Sequence, residues 1–176
     1  MDLAENWRCG GMSYEQAVLT FGDVVTRLCL VRLRRPADAD DVFQNVFMKL
    51  YRKPPQVEDP EGLKAWLIRV TIREAASWRR RWHRENIESL ETMPEMTDTT
   101  SRDRELLILL RSLPPIYRDT LYLHYYEGYK VEEIAAMCDR APGTVKSQLS
   151  RGREMLGQLL EAPPKPRKTP KKGESL

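Results

Sequence analysis

The chain has 176 residues, of which 41% are apolar and 31% charged, with a formal net charge of +3. That length suits one ordinary domain or two small ones, and the charge implies much solvated or partner-facing surface. No stretch approaches the roughly 20 apolar residues that span a bilayer. Residues Met1 to Gly11 carry Asp2 and Glu5 where a secretory signal has a basic start and an apolar run, so neither export nor membrane insertion is expected. Cys9, Cys29 and Cys138 form no Cys-x-x-Cys, and neither His83 nor His124 stands at zinc-ligand spacing with a cysteine pair. They read as isolated, reduced thiols of a cytoplasmic chain.

Helical periodicity dominates, and strand signals are nearly absent. Ser13 followed by Gln16 predicts a capping box that opens a first helix, running to about Arg35 where Pro36 stops it. Asp38 is the expected cap of a second helix, with Val42, Phe43, Val46, Phe47 and Leu50 on one face. Lys53-Pro54-Pro55 ends that helix. Residues Pro54 to Gly62 read as a loop, after which Leu63 opens a third helix with Leu63, Trp66, Leu67 and Val70 along one stripe. This helix carries Lys64, Arg69, Arg73, Arg79, Arg80, Arg81 and Arg84 against Glu74 alone, and its tip holds Trp78 and Trp82. Basic side chains gain affinity for phosphates by releasing counterions, and aromatic rings stack on unpaired bases. The plainer account is that the tryptophans plug a core while the arginines solvate a helix end. Trp66, on the apolar stripe, reads as core; Trp82, between Arg81 and His83, reads as functional.

Composition then shifts. Residues 85–103 hold Glu85, Glu88, Glu91, Glu95, Asp98 and Asp103 against Arg102, with Pro94 and a Thr97-to-Ser101 polar run. They read as an acidic, flexible linker. A second helical domain is expected over 104–161, and residues 162–176, with Pro163, Pro164, Pro166 and Pro170 among basic residues, as a disordered basic tail. The fold class expected is therefore all-α: two small helical domains, 12–84 and 104–161, joined by a flexible linker.

The sharpest local motif lies between Lys130 and Leu156. A short helix, Val131 to Cys138, turns Ile134 and Ala135 inward, and Asp139 and Arg140 make a turn. Pro142 suits the first position of a second helix, where its missing N–H is no loss. On that helix Val145, Leu149 and Leu156 face the core, leaving Thr144, Lys146, Ser147, Gln148, Ser150, Arg151 and Arg153 on or near the outer face. Such donors and short polar groups read base edges and phosphates in a major groove. An ordinary helical hairpin with a solvated basic face satisfies the same pattern.

Leu113-Pro114-Pro115, Tyr126-Glu127-Gly128-Tyr129, Glu132-Glu133-Ile134-Ala135, Gly143-Thr144-Val145-Lys146-Ser147 and Arg151-Gly152-Arg153 together resemble the region-four domain of extracytoplasmic-function (ECF) RNA polymerase sigma factors. Upstream, Asp38 through Arg52 resembles the region-two helix that docks on polymerase, and Ala65-Trp66-Leu67-Ile68-Arg69-Val70 the start of the helix that reads the minus-ten element. The resemblance implies that Asp40, Asp41, Gln44, Asn45 and Lys49 grip the clamp helices of the largest polymerase subunit. It implies that Arg69, Arg73, Trp78, Arg79, Arg80, Arg81 and Trp82 engage the minus-ten element, with the loop Val57 to Gly62 holding a flipped base. By the same resemblance, Thr144, Lys146, Ser147, Gln148, Ser150, Arg151 and Arg153 read the minus-thirty-five element. Two residues depart from the family pattern. Asn45 stands where an acidic residue is usual, which removes a docking charge, and Arg73 stands where many members have asparagine, which alters the minus-ten contact. The linker is implied to thread the polymerase cleft as an RNA mimic, or it is a passive spacer.

The implied partners are core RNA polymerase, promoter DNA and an anti-sigma factor, the last holding the chain at the membrane in some members. No Ser-His-Asp set, Cys-His pair, phosphate-cradling Gly-rich loop or metal cluster is visible, so no catalytic residue, metal or cofactor is expected. Two other readings remain at this point: a stand-alone helix-turn-helix regulator that binds operators by itself, and an adaptor that binds polymerase without starting transcripts.

Overall fold

The computed structural model describes residues 7–33, 35–82 and 101–161. Residues 83–100, which hold nearly all of the expected linker, and the expected tail 162–176 lie outside the described residues. The elements run β1 (Arg8–Cys9), β2 (Met12–Ser13), α1 (Tyr14–Arg32), α2 (Pro36–Arg52), α3 (Pro60–Trp82), α4 (Ser101–Ser112), α5 (Pro115–Leu121), α6 (Val131–Cys138) and α7 (Pro142–Glu161). One turn of π-helix, Tyr122–Tyr126, extends α5. The all-α reading holds, with a two-residue hairpin added: Gly10 and Gly11 take φ of +57° and +76°, the left-handed pair that a tight antiparallel turn needs.

Helix boundaries follow local chemistry. At α1, Ser13 Oγ accepts from the Gln16 N–H at 3.2 Å while Gln16 Oε1 accepts from the Ser13 N–H at 2.9 Å, the expected capping box. The helix ends at Arg32 and not at Arg35, because Leu33 is already extended and buried. α2 starts at Pro36, two residues before the expected cap Asp38, since proline's fixed φ suits a first helical position. Asp38 instead sits in the first turn, where its charge complements the helix dipole. α3 likewise starts at Pro60 and not Leu63: Asp59 Oδ1 accepts from the Gly62 N–H at 2.7 Å and so caps the helix.

Two apolar clusters hold the chain together. The first joins Ala17, Phe21, Val25 and Cys29 of α1 to Val42, Val46, Phe47 and Leu50 of α2 and Leu63, Leu67 and Ala75 of α3. The second begins on the other faces of α1 and α3, with Val24, Leu28, Val31, Ile68 and Ile72, and continues into Leu107, Leu110, Leu113, Leu121, Tyr122, Ile134, Val145 and Leu149 of the C-terminal helices. α1 is thus buried on two sides, as befits a helix whose second half, Val24 to Val31, is apolar nearly all round.

Polar contacts seal the same boundary. Arg32 on α1 pairs with Asp119 on α5, and Arg118 Nη1 donates to the Val31 carbonyl at 3.3 Å. Lys64 on α3 pairs with Glu127 at 3.0 Å, and the Arg27 guanidinium lies 5.2 Å from the Tyr126 ring centre. The two helical domains are therefore packed face to face.

Candidate polymerase and nucleic-acid interfaces

Asp40, Asp41, Gln44, Asn45 and Lys49 all lie exposed along α2, opposite the buried Val42, Val46, Phe47 and Leu50. The spacing of 40/41, 44/45 and 49 places them within one stripe, because residues four apart share a helix face. Lys49 Nζ is held by Glu74 of α3 at 2.5 Å, which fixes the lower end of the stripe to the neighbouring helix. Met48, 44% exposed, adds an apolar patch beside these residues. Sequence reasoning passed over it, although it falls out of phase with the buried stripe, and flexible methionine suits an adaptable contact.

Along α3 the basic residues divide. Arg73, Arg80 and Arg81 are exposed, while Arg69 and Arg79 are half-buried. The Arg69 Nε is buried and has no hydrogen-bond partner among the described residues. Trp78, expected at the minus-ten element, is half-buried against the first core, and the Arg81 guanidinium lies 5.4 Å from its ring centre. Trp66 also packs on that core, as its position on the apolar stripe implied. The Trp82 side chain lies outside the described residues.

The loop ahead of α3 is not free. Val57 is half-buried, its carbonyl accepts from the Gly10 N–H at 3.2 Å, and the Pro55 carbonyl accepts from the Cys9 Sγ at 3.2 Å.

The C-terminal domain presents α6, a turn through Asp139 to Ala141, and α7. Asp139 ends α6 in the left-handed region at φ 56°, a conformation that short polar residues tolerate. The Arg140 N–H then donates to the Ala135 carbonyl at 2.9 Å. On α7, Val145 and Leu149 are buried as expected, and Thr144, Lys146, Ser147, Ser150, Arg151 and Arg153 are exposed on the opposite side. Gln148 is the exception: it is 5% exposed and accepts from Arg140 Nη1 at 3.0 Å, so it lies on the inner face and not the outer one. With Val145 and Gly152 it falls on an i, i+3, i+7 stripe, which helical geometry turns toward the core. Gly152 allows close approach of α5, since a Cβ there would meet Leu121 Cδ1 at 2.7 Å. Arg153 is steadied by Tyr125, whose hydroxyl accepts from its Nη1 at 3.2 Å.

Asp119 went unremarked in the sequence and Arg140 read only as a turn residue, because each acts through contacts distant along the chain. Asp119, 2% exposed, accepts from Arg32 of the N-terminal domain and from Arg140 Nη2 at 3.4 Å. Arg140 in turn holds Gln148. One carboxylate therefore links the domain boundary to the inner face of the exposed α7 row. Nearby, Tyr122 donates to Glu127 Oε1 at 2.7 Å, and burial, reinforced by Glu127, raises its pKa well above the usual phenol value. Burial also pushes the Cys138 thiol up to about 11, with Asp119 adding to the effect. Among the described residues no group of three His, Cys, Asp or Glu side chains is placed to hold a metal ion, and no helix is long and apolar enough to cross a membrane.

Residues 17–85 match the sigma-70 region 2 family and residues 103–156 the sigma-70 region 4 family. The RNA polymerase sigma-E factor of Streptomyces coelicolor is 32% identical over 158 residues, which span 86% of this chain and 88% of that protein. The ECF RNA polymerase sigma factor SigE of Mycolicibacterium smegmatis is 31% identical over 159 residues, spanning 84% of this chain and 62% of that protein. In three dimensions the chain resembles the sigma factor RpoE of Bartonella quintana, solved in complex with the anti-sigma factor NepR, with a TM-score of 0.70 and 28% identity over 84% of this chain and 96% of that one. With a region-two domain whose α2 stripe is exposed and a region-four domain whose α7 carries an outward basic row, the chain belongs to the sigma-70 family, in its ECF group.

Proposed function

We propose that this chain binds core RNA polymerase through the α2 stripe and directs promoter-specific initiation, acting by binding alone and without covalent chemistry of its own. The observation that carries the reading is the pairing of two exposed surfaces in one chain: Asp40, Asp41, Gln44 and Asn45 on α2, and Thr144, Lys146, Ser147, Ser150, Arg151 and Arg153 on α7. α7 enters the major groove of the minus-thirty-five element, where its donors meet base edges and phosphates. α3, through Arg73, Arg80 and Arg81, holds the phosphates of the minus-ten element, and residues Val57 to Gly62, the end of the loop and the first turn of α3, take an unpaired base there. Free energy for opening the duplex comes from these contacts.

The two elements are separated by about 25 base pairs, which is about 85 Å of B-form DNA. A compact chain of this length has a radius of gyration of about 16 Å, so domains joined by the Arg32–Asp119 pair and a shared core do not span that distance. Domain separation therefore accompanies promoter engagement. The packed form suits a chain held in the cytoplasm until needed. An anti-sigma factor, as in the complex of the Bartonella quintana relative, is the partner class that would hold it there.

The test is transcription of fragmented genomic DNA of the source organism by core polymerase, with and without the chain, followed by sequencing of RNA 5′ ends. New clustered starts that share two upstream boxes are the expected result. Binding to core without new starts would point to an adaptor and to Asn45 and Arg73 as the cause. Neither binding nor starts would return the chain to the class of stand-alone regulators.

A further inference from the structure

The region 2 match begins at residue 17, so the hairpin formed by residues 7–13 lies outside it. Yet the hairpin and the residues flanking it make a closely spaced set of contacts with the last turns of α2 and the connection from α2 to α3. Trp7 Nε1 donates to the Tyr51 carbonyl at 3.2 Å. Cys9 Sγ donates to the Pro55 carbonyl at 3.2 Å, and the Gly10 N–H to the Val57 carbonyl at 3.2 Å. Tyr14, just past the hairpin, packs edge-on against both Trp7 and Tyr51 and donates to the Phe47 carbonyl at 3.2 Å.

The fit is tightest at the turn. A Cβ on Gly10 would stand 2.7 Å from the Asp59 carbonyl oxygen and 3.1 Å from Leu63 Cβ. Asp59 is the residue that caps α3, so the hairpin presses on the backbone that launches the helix. Gly11, with φ of the same sign, has no atom of the described residues beyond its chain neighbours within 4 Å of where its Cβ would be.

We propose that this hairpin is a brace that sets the shape of the 55–59 loop, making Gly10 and Cys9 positioning residues for minus-ten base selection. The inference rests on the reading that the loop Val57 to Gly62 takes a base of that element. Hydrogen bonds from the Cys9 thiol and the Gly10 N–H to the Pro55 and Val57 carbonyls fix where the loop runs, and the absent Cβ at Gly10 lets the hairpin close onto Asp59. A loop displaced by a fraction of an ångström presents a different pocket to the base, although polymerase docking on α2 is unaffected.

The glycine pair supplies its own control. Gly10→Ala and Gly11→Ala both place an alanine in the left-handed region and carry a similar backbone penalty. Only Gly10→Ala drives a methyl into the loop backbone. The full chain and each variant are combined with core polymerase on a promoter library randomised across the minus-ten element, and the transcripts are sequenced. Discrimination at one or two minus-ten positions, ordinarily about tenfold per mismatched pair, is expected to fall or switch in Gly10→Ala and to persist in Gly11→Ala. Core binding is expected to match the parent chain in both. Cys9→Ala, which removes the Pro55 hydrogen bond together with a buried sulfur atom but puts nothing into the loop backbone, is expected to shift the same positions more weakly, and it decides the matter should Gly10→Ala not fold. Base rankings unchanged in Gly10→Ala and Cys9→Ala would overturn the brace while leaving the promoter reading intact. Unchanged rankings after Val57→Ala would show that the loop does not select the base and would remove both the brace and the loop's part in the proposed function.

Discussion

Asp119 gives the sharpest energetic test of how the two domains are joined. Its side chain is 2% exposed, and its partners Arg32 and Arg140 are 11% and 23% exposed. Asp119→Ala leaves two guanidinium groups facing an apolar boundary. Removing one partner of a fully buried pair costs about 3–5 kcal/mol. Both arginines keep some contact with water, which lowers the expected loss to about 2–3 kcal/mol. The loss should divide unequally, since the Arg32 contact is the shorter and less exposed. A double-mutant cycle between Arg32→Ala and Asp119→Ala should return a coupling of about 1–2 kcal/mol, and the cycle with Arg140→Ala less than about 1 kcal/mol. Urea unfolding of the full chain, followed by tryptophan fluorescence, measures both. Arg32→Ala spares the helix-turn-helix, so it isolates the domain boundary. Each 1.4 kcal/mol removed from the packed form should lower the concentration needed for half-maximal transcription by up to about tenfold. Additivity of Arg32→Ala and Asp119→Ala within about 0.5 kcal/mol would refute the argument, because the carboxylate would then not join the domains.

Other expectations follow from single sites. Arg151→Ala, at an exposed position of α7, should weaken binding to the upstream element by about 1–3 kcal/mol on its preferred sequence. An equal loss on every sequence, measured by fluorescence anisotropy, would leave Arg151 a phosphate contact only. In Gly152→Ala the added methyl meets Leu121, which is 1% exposed and has no solvent to turn into. Overpacking of about 1–3 kcal/mol, less about 1 kcal/mol of helix propensity, predicts a net destabilisation near 1 kcal/mol in urea melts. A more stable variant would contradict the close α5–α7 approach. Burial pushes the Cys29 thiol from 9.0 up to about 12, with Asp40 adding to the rise and Arg32 opposing it. The unfolded thiol ionises first, so this contribution is complete below pH 9 and is lost as pH climbs toward 12. The stability difference between the parent chain and Cys29→Ala should shrink above pH 9 by about 1.4 kcal/mol per pH unit, and parallel pH profiles would refute it.

Much of this protein is legible along the chain because helix boundaries are settled by neighbours. Ser13 and Gln16 cap each other three residues apart, Pro142 opens α7, and the 3.6-residue period puts Val145 and Leu149 under the exposed Arg151. The expected helix starts moved by two or three residues to Pro36 and Pro60, where proline and Asp59 outweighed the expected cap Asp38 and the expected opening residue Leu63. Which faces are covered is another matter, since that depends on residues far away in sequence. Arg118 reaches a carbonyl 87 positions upstream, and nothing near Val24 or Leu28 announces that a second set of helices will bury them. The same holds for Gln148, which sits among outward donors in the sequence but is drawn inward by Arg140 and Asp119. The Gly10–Gly11 pair carried a turn signal of its own. Only tertiary structure could reveal that the turn closes onto Asp59, 49 residues later, because the cost of a missing or added Cβ is set by whatever the fold brings beside it.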